Sequence, residues 1–131
     1  MKIEDIVCDF EYAEKLRKLG LYKRSIFWYD SKGVLELDDN VPVEYAEDFV
    51  YYTYTDAELG EMLPYRLIAN YSHYDRICVN DGSVFICTYE QTDDHDECIG
   101  AQTEKKEANA RAKLLIWLIE NNHVNVGELN G

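Results

Sequence analysis

Residues 92–98 read TDDHDEC, which brings carboxylates, an imidazole and a thiol together at Asp93, Asp94, His95, Asp96, Glu97 and Cys98. Such groups hold divalent cations when they converge on one point. The spacing does not fit a calcium loop. With Asp93 first, His95, Glu97 and Cys98 take the third, fifth and sixth positions, where acidic or amide ligands and then glycine belong. Consecutive side chains also diverge on an extended backbone. The run therefore reads as a solvated turn, and no structural metal and no cofactor are expected.

The other reactive side chains are scattered. His73, in NYSHYD, falls between two expected strands, and a general base there would need a carboxylate and a nucleophile beside it. No Gly-x-Ser-x-Gly and no identifiable Cys–His pairing supplies them. His123 follows the last helix, where a cation suits the negative end of the dipole. Cys8, Cys78, Cys87 and Cys98 contain no C-x-x-C pair, which argues against a zinc site and against a redox dithiol, and four free thiols are expected. Cys78 and Cys87 sit in the apolar runs RICVN and VFICTY, where a thiol acts as a small buried hydrophobe. The glycines stand apart, so neither G-x-G-x-x-G nor a phosphate loop is formed. No catalytic residue is assigned, and the reading leans away from an enzyme.

Charge is the more informative chemistry. The chain carries 26 acids against 13 bases, a formal net charge of −13. Between Gly33 and Tyr65 there are nine carboxylates and no lysine or arginine. Glu36, Asp38, Asp39, Glu44, Glu47 and Asp48 are the candidate partner surface in that stretch. Such a field repels nucleic-acid phosphates and anionic membranes and attracts basic proteins. Seven of the eleven tyrosines lie between Tyr45 and Tyr74, in the same acidic region. They are expected to pack a sheet and its rim, or to form a protein contact surface, rather than to stack on bases.

The elements that must position these residues can be read from periodicity and punctuation. At 131 residues the chain has the length of a single domain, 1–131. No run of apolar residues is long enough to span a membrane. Carboxylates in MKIEDIVCDFEYAEK interrupt what a signal peptide would need to be apolar, so export is not expected. A helix is predicted from about Asp9 to Leu19, with Asp9 as cap, Tyr12, Leu16 and Leu19 on one face, and Gly20 as stop. SIFWYD and VLEL around Ser31-Lys32-Gly33 predict a hairpin. TDAELGEML predicts a short helix with a Thr55–Glu58 capping box, ended by Pro64.

Tyr65–Tyr71, Tyr74–Asn80 and Val84–Glu90 predict an antiparallel meander, with turns at Ser72-His73 and Asp81-Gly82-Ser83. QTDDHDECIGAQ reads as a loop, after which Thr103 caps a long helix reaching about Asn122. On that helix Ala108, Ala112, Leu115 and Ile119 share a face, while Leu114 and Trp117 point the other way. LLIWLI leaves the helix without a wet back, so the N-terminal helix or a second copy of the chain must cover it. A homodimer through Leu114 and Trp117 is one expectation. The fold class expected is α+β: a small antiparallel sheet, meander plus hairpin, packed by a long C-terminal helix and a shorter N-terminal one.

Three blocks carry a family likeness: AEKLRKLGLYKRSIFWY from Ala13 to Tyr29, TYTDAELGEMLP from Thr53 to Pro64, and ANARAKLLIWLIEN from Ala108 to Asn121. In this order the chain resembles a family of small proteins carried by bacteriophages, prophages and related mobile elements. Their corresponding phrases read like A-x-x-L-K-x-L-G, E-L-G-E-M-L-P and A-R-A-K-M-L-I-Y-L-L-E-N. Tyr54 stands here where phenylalanine is common in the family. The resemblance implies a phage or mobile-element origin and a place in the cytoplasm of a bacterial host, and it carries over no catalytic residue. The expected function is that of a non-enzymatic accessory protein that binds a host or phage protein. An acidic inhibitor or nucleic-acid mimic acting on a host DNA- or RNA-binding protein is the alternative. A small enzyme with an unrecognised site is the third.

Overall fold

The computed structural model describes residues 2–37, 50–93 and 97–130. The architecture is α+β, with two antiparallel sheets and four α-helices among the described residues. Helix α1, Phe10–Lys18, follows Asp9 and is closed by Gly20 at φ +101°. There the Gly20 N–H donates to the Arg17 carbonyl (2.9 Å) and the Leu21 N–H to that of Leu16 (3.0 Å), as a left-handed C-terminal glycine permits. Ala13 and Leu16 are buried. The Asp9 side chain does not cap its own helix; it is engaged by residues of the C-terminal helix.

Strands β1, Phe27–Tyr29, and β2, Leu35–Leu37, form the expected hairpin with Trp28 opposite Glu36. Asp30 holds its turn by accepting from the Lys32 and Val34 N–H groups (2.8 and 3.0 Å). The hairpin does not extend the meander. It pairs with β3, Tyr51–Tyr52, to make a separate three-stranded sheet in the order β2-β1-β3. Helix α2, Asp56–Met62, has the capping box the sequence predicts. Thr55 Oγ1 accepts from the Glu58 N–H (3.1 Å) and Glu58 Oε1 accepts from the Thr55 N–H (3.0 Å).

The second sheet is β4-β5-β6-β7: Arg66–Ala69, Ser72–Asp81, Val84–Gln91 and Cys98–Glu104. Three details correct the sequence reading. The β4–β5 turn lies at Asn70-Tyr71, both at positive φ (51° and 64°), and Ser72 and His73 belong to β5. Two left-handed residues in a row match the twist of a tight hairpin. Second, much of the expected loop is strand β7. Third, Thr103 lies in β7 opposite Ile86, and the long helix α3 starts only at Glu107, with Lys106 in the cap position. The register of β6 and β7 shifts between Cys87 and Tyr89, where Gly100 adopts φ +69°. This bulge breaks the period-two pattern. A Cβ on Gly100 would lie 2.7 Å from the Trp117 ring, so glycine also lets α3 seat on the sheet.

Helix α3, Glu107–Glu120, buries Ala108, Asn109, Ala110, Ala112, Leu114, Leu115, Ile116 and Leu118. It packs on α1, α2, β6 and β7. Its end is shaped by Asn122 at φ +60°, with Asn122 N–H donating to Ile119 and His123 N–H to Leu118 (3.2 and 2.9 Å). Helix α4, Val126–Asn130, returns to the end of α1, where Asn130 donates to the Gly20 carbonyl (2.9 Å) and accepts from the Tyr22 N–H (2.6 Å). Leu114 is wholly buried inside the one chain, so it offers no surface to a second copy. Trp117 is half-buried and stacks on His123, with ring centroids 5.1 Å apart. The chain supplies its own cover for the helix. Among the described residues no helix is long and apolar enough to cross a membrane.

Leu115 is fully buried and Ile119 only partly so, at the edge of the core. Leu115→Ala is expected to cost about 2–5 kcal/mol, and Ile119→Ala clearly less. Urea unfolding of the two variants measures this; equal losses would place Ile119 as deep as Leu115, and negligible losses in both would place α3 outside the core.

Candidate functional site

Glu36 is exposed on β2 opposite Trp28. Asp38, Asp39, Glu44, Glu47 and Asp48 lie outside the described residues, as do Asp94, His95 and Asp96. Asp93, Glu97 and Cys98 are exposed, and Cys98 opens β7 opposite Glu90. His73 is exposed on β5 opposite Ile68. No group of three or more potential metal ligands gathers among the described residues. The acids of α2 have local tasks: Glu58 closes the capping box and accepts from Ser25 (3.3 Å), and Asp56 meets α3.

The four-stranded sheet instead shows two unequal faces. Alternation puts Leu67, Tyr74, Arg76, Cys78, Phe85, Cys87 and Tyr89 on the inner face. Most of these join the core with α2 and α3, and the Tyr89 hydroxyl donates to the Pro64 carbonyl (2.6 Å). Arg76 donates from Nη1 to the carbonyls of Gly60 and Leu63 (2.6 and 3.0 Å), tying the sheet to the end of α2. The outer face carries Ile68, Ile77, Val79, Val84 and Ile86, none of which belongs to the core cluster. Ile68 is 69% exposed and Val79 46%, and Val79 sits directly opposite Ile86. Tyr65 and Tyr71 are also exposed, at the two ends of the short edge strand β4. The Arg66–Asp75 ion pair (2.7 Å), Glu90 and Asp81 border this apolar band.

A second cluster lies on the inner side, where the first turns of α2 and α3 meet. Arg111 donates from Nη1 to the Asp56 carbonyl (2.9 Å) and approaches Glu107 from Nη2 (3.6 Å). Gly60 makes room for it, since a Cβ there would stand 2.2 Å from Arg111 Nη1. The Glu107 carboxyl is raised above its ordinary value by its hydrogen bond with the Asp56 carboxyl and by burial, with Arg111 opposing. A cleft of about 390 Å³ opens here, lined by Asp56, Phe85, Lys105, Lys106 and Glu107 among others. Chemically this arrangement sets two acids beside a cation. It is an ion cluster that clamps two helix starts.

The sequence reading passed over both arrangements. RICVN and VFICTY are apolar on both sides of the strand, which reads as complete burial. Only the placement of the helices on one face reveals that the other is open. The hairpin turn at Gly82-Ser83 carried a usable signal, because residues equidistant from it must face each other. Comparison of the chain with family models, curated proteins and solved structures returns no match.

Folded Glu107 keeps its proton to higher pH than the unfolded chain does. Stability should therefore fall as pH rises from the ordinary carboxyl value of 4.5 through the folded value. Glu107→Gln removes this titration, so its stability should change less across that window. Urea midpoints measured at successive pH values test it, and parallel profiles for the two proteins would contradict it.

Proposed function

We propose that this chain is a phage- or prophage-type accessory protein that works in the cytoplasm of a bacterial host, without catalysis, by docking on another protein through the outer face of the β4–β7 sheet. The observation that carries the reading is the band Ile68, Ile77, Val79 and Ile86, which lies outside the core and includes two widely exposed aliphatic side chains. Contiguous apolar surface on one sheet face, rimmed by charge, is a common form of protein contact. The partner that fits has an apolar centre and a basic rim. The net charge of −13, with Asp75, Asp81 and Glu90 around the band, would steer such a partner and repel acidic ones. The resemblance of the three sequence blocks to phage and prophage proteins supplies the setting.

The reading is tested by affinity capture from bacterial host lysate with three baits: the chain itself, an Ile68→Glu/Val79→Glu variant, and a Tyr22→Glu control bearing a new carboxylate on another exposed hydrophobic. A discrete protein held by the first and third baits and lost from the second supports it. The melting temperature of the variant should stay near that of the parent, because both side chains are exposed. Retention by all three baits, or equal loss from the variant and the control, would overturn it.

A further inference from the structure

Cys78 on β5 and Cys87 on β6 stand directly opposite each other, and both are free thiols. The phase of the ladder decides how closely they approach. The Thr92 N–H donates to the His73 carbonyl (3.0 Å), one step beyond the Tyr74–Gln91 pair. Hydrogen-bonded pairs then recur at Asp75–Glu90, Ile77–Thr88, Val79–Ile86 and Asp81–Val84, and Cys78–Cys87 falls between two of them. The β4 side agrees. The Arg76 N–H donates to the Tyr65 carbonyl (2.9 Å), so the even-numbered amides of β5 turn away from β6. Opposed residues in a non-hydrogen-bonded pair have Cα atoms about 4.5 Å apart, within the span of roughly 4.4–6.8 Å that a disulfide bridges.

The surroundings distinguish the two sulfurs. Cys87 is fully buried, while Cys78 is partly open. Phe85, on the same face as Cys87, lines the cleft at the starts of α2 and α3. A hydrogen bond from Cys87 lowers the Cys78 thiol below its ordinary value of 9.0, and the nearby Arg111 and Arg76 add to this against the effect of burial. The buried Nε of Arg111 has no hydrogen-bond partner among the described residues. Cys8, by contrast, is sealed in the core and raised by burial, and Cys98 is exposed at the start of β7.

We propose that Cys78 and Cys87 are a reversible dithiol–disulfide site that reacts with small disulfides, Cys78 attacking and Cys87 resolving. The Cys78 thiolate attacks one sulfur of the reagent, whose S–S bond breaks and whose departing thiolate takes up a proton. The Cys87 sulfur gives up its proton and attacks Cys78 Sγ, expelling the second small thiol. Two protein thiols are oxidised to one cystine, and one small disulfide is reduced to two thiols.

The test uses the full chain carrying Cys98→Ser, which removes the exposed thiol. The folded protein is incubated with glutathione disulfide, quenched with acid, unfolded, alkylated and mapped by mass spectrometry. The result expected is loss of two of the three remaining thiols, a Cys78–Cys87 linked peptide without retained glutathione, and an unreacted Cys8. Dithiothreitol should restore both thiols. A lasting glutathione adduct on Cys78, a link that involves Cys8, or no loss of thiol would each overturn the proposal. In a Cys87→Ser variant, glutathione should instead remain on Cys78. If that variant does not fold, the first protein still decides.

Discussion

A helix that is apolar all round over more than a turn cannot rest on a surface, and α3 is such a helix from Leu114 to Ile119. Alanines at 108, 110 and 112 let neighbouring backbones approach closely, and Leu114, Leu115 and Leu118 are removed completely from water. Each such leucine contributes on the order of 1.5–3 kcal/mol through burial. The rest of the fold supplies the cover: β6 and β7 on the sheet side, with α1 and α2 packed against the same helix. Once both helices and sheet are committed to α3, the aliphatic side chains of the opposite sheet face stay outside the core.

The amide of Asn109 shows how tightly this cover is fixed. It is buried within α3, where an unpaired amide would cost about 1–3 kcal/mol. Both of its ends are satisfied by one residue: Oδ1 accepts from the Asp9 N–H (2.8 Å) and Nδ2 donates to Asp9 Oδ2 (2.9 Å). Lys106 reaches the same carboxylate and the Glu4 carbonyl. The Asp9 carboxyl is opposed by burial, but the bonds from Lys106 and Asn109 outweigh this and hold it below its ordinary value. One residue earlier, the Cys8 carbonyl accepts from the Thr53 and Tyr29 hydroxyls (2.6 and 3.0 Å), which brings the small sheet into the same junction. The bonds of Asn109 and Lys106 join segments about a hundred residues apart and give α1 one position relative to α3.

What could be read in the sequence was local. The Thr55–Glu58 capping box, the Gly20 stop, the Ser31-Lys32-Gly33 turn and the Gly82 hairpin depend on neighbours a few residues away, and all are present. Strand β7 was hidden because the Gly100 bulge interrupts its alternation, and Thr103 imitates a helix cap only when its pairing with Ile86 is unknown. The Asn70-Tyr71 turn was missed because tyrosine at positive φ is rare, so the polar Ser72-His73 pair looked the better turn. The run LLIWLI announced a helix buried on both sides but could not say by what, and the cover this chain provides, from α1, α2, β6 and β7, is tertiary. The same limit applied to the site. Charge pointed to the acidic tract, whereas the open face and the opposed thiols follow from register and layer order.

The account turns on α3 being buried by its own chain, and native-state hydrogen exchange tests that most directly. Amides of α3 from about Ala112 to Leu118 should exchange only through global unfolding, with protection equal to the full stability of the protein and unchanged on dilution. The short edge strand β4 should open far sooner. Protection of α3 that matches the edge strands, or that falls as the protein is diluted, would mean that the helix relies on a second copy for its cover and would contradict the account.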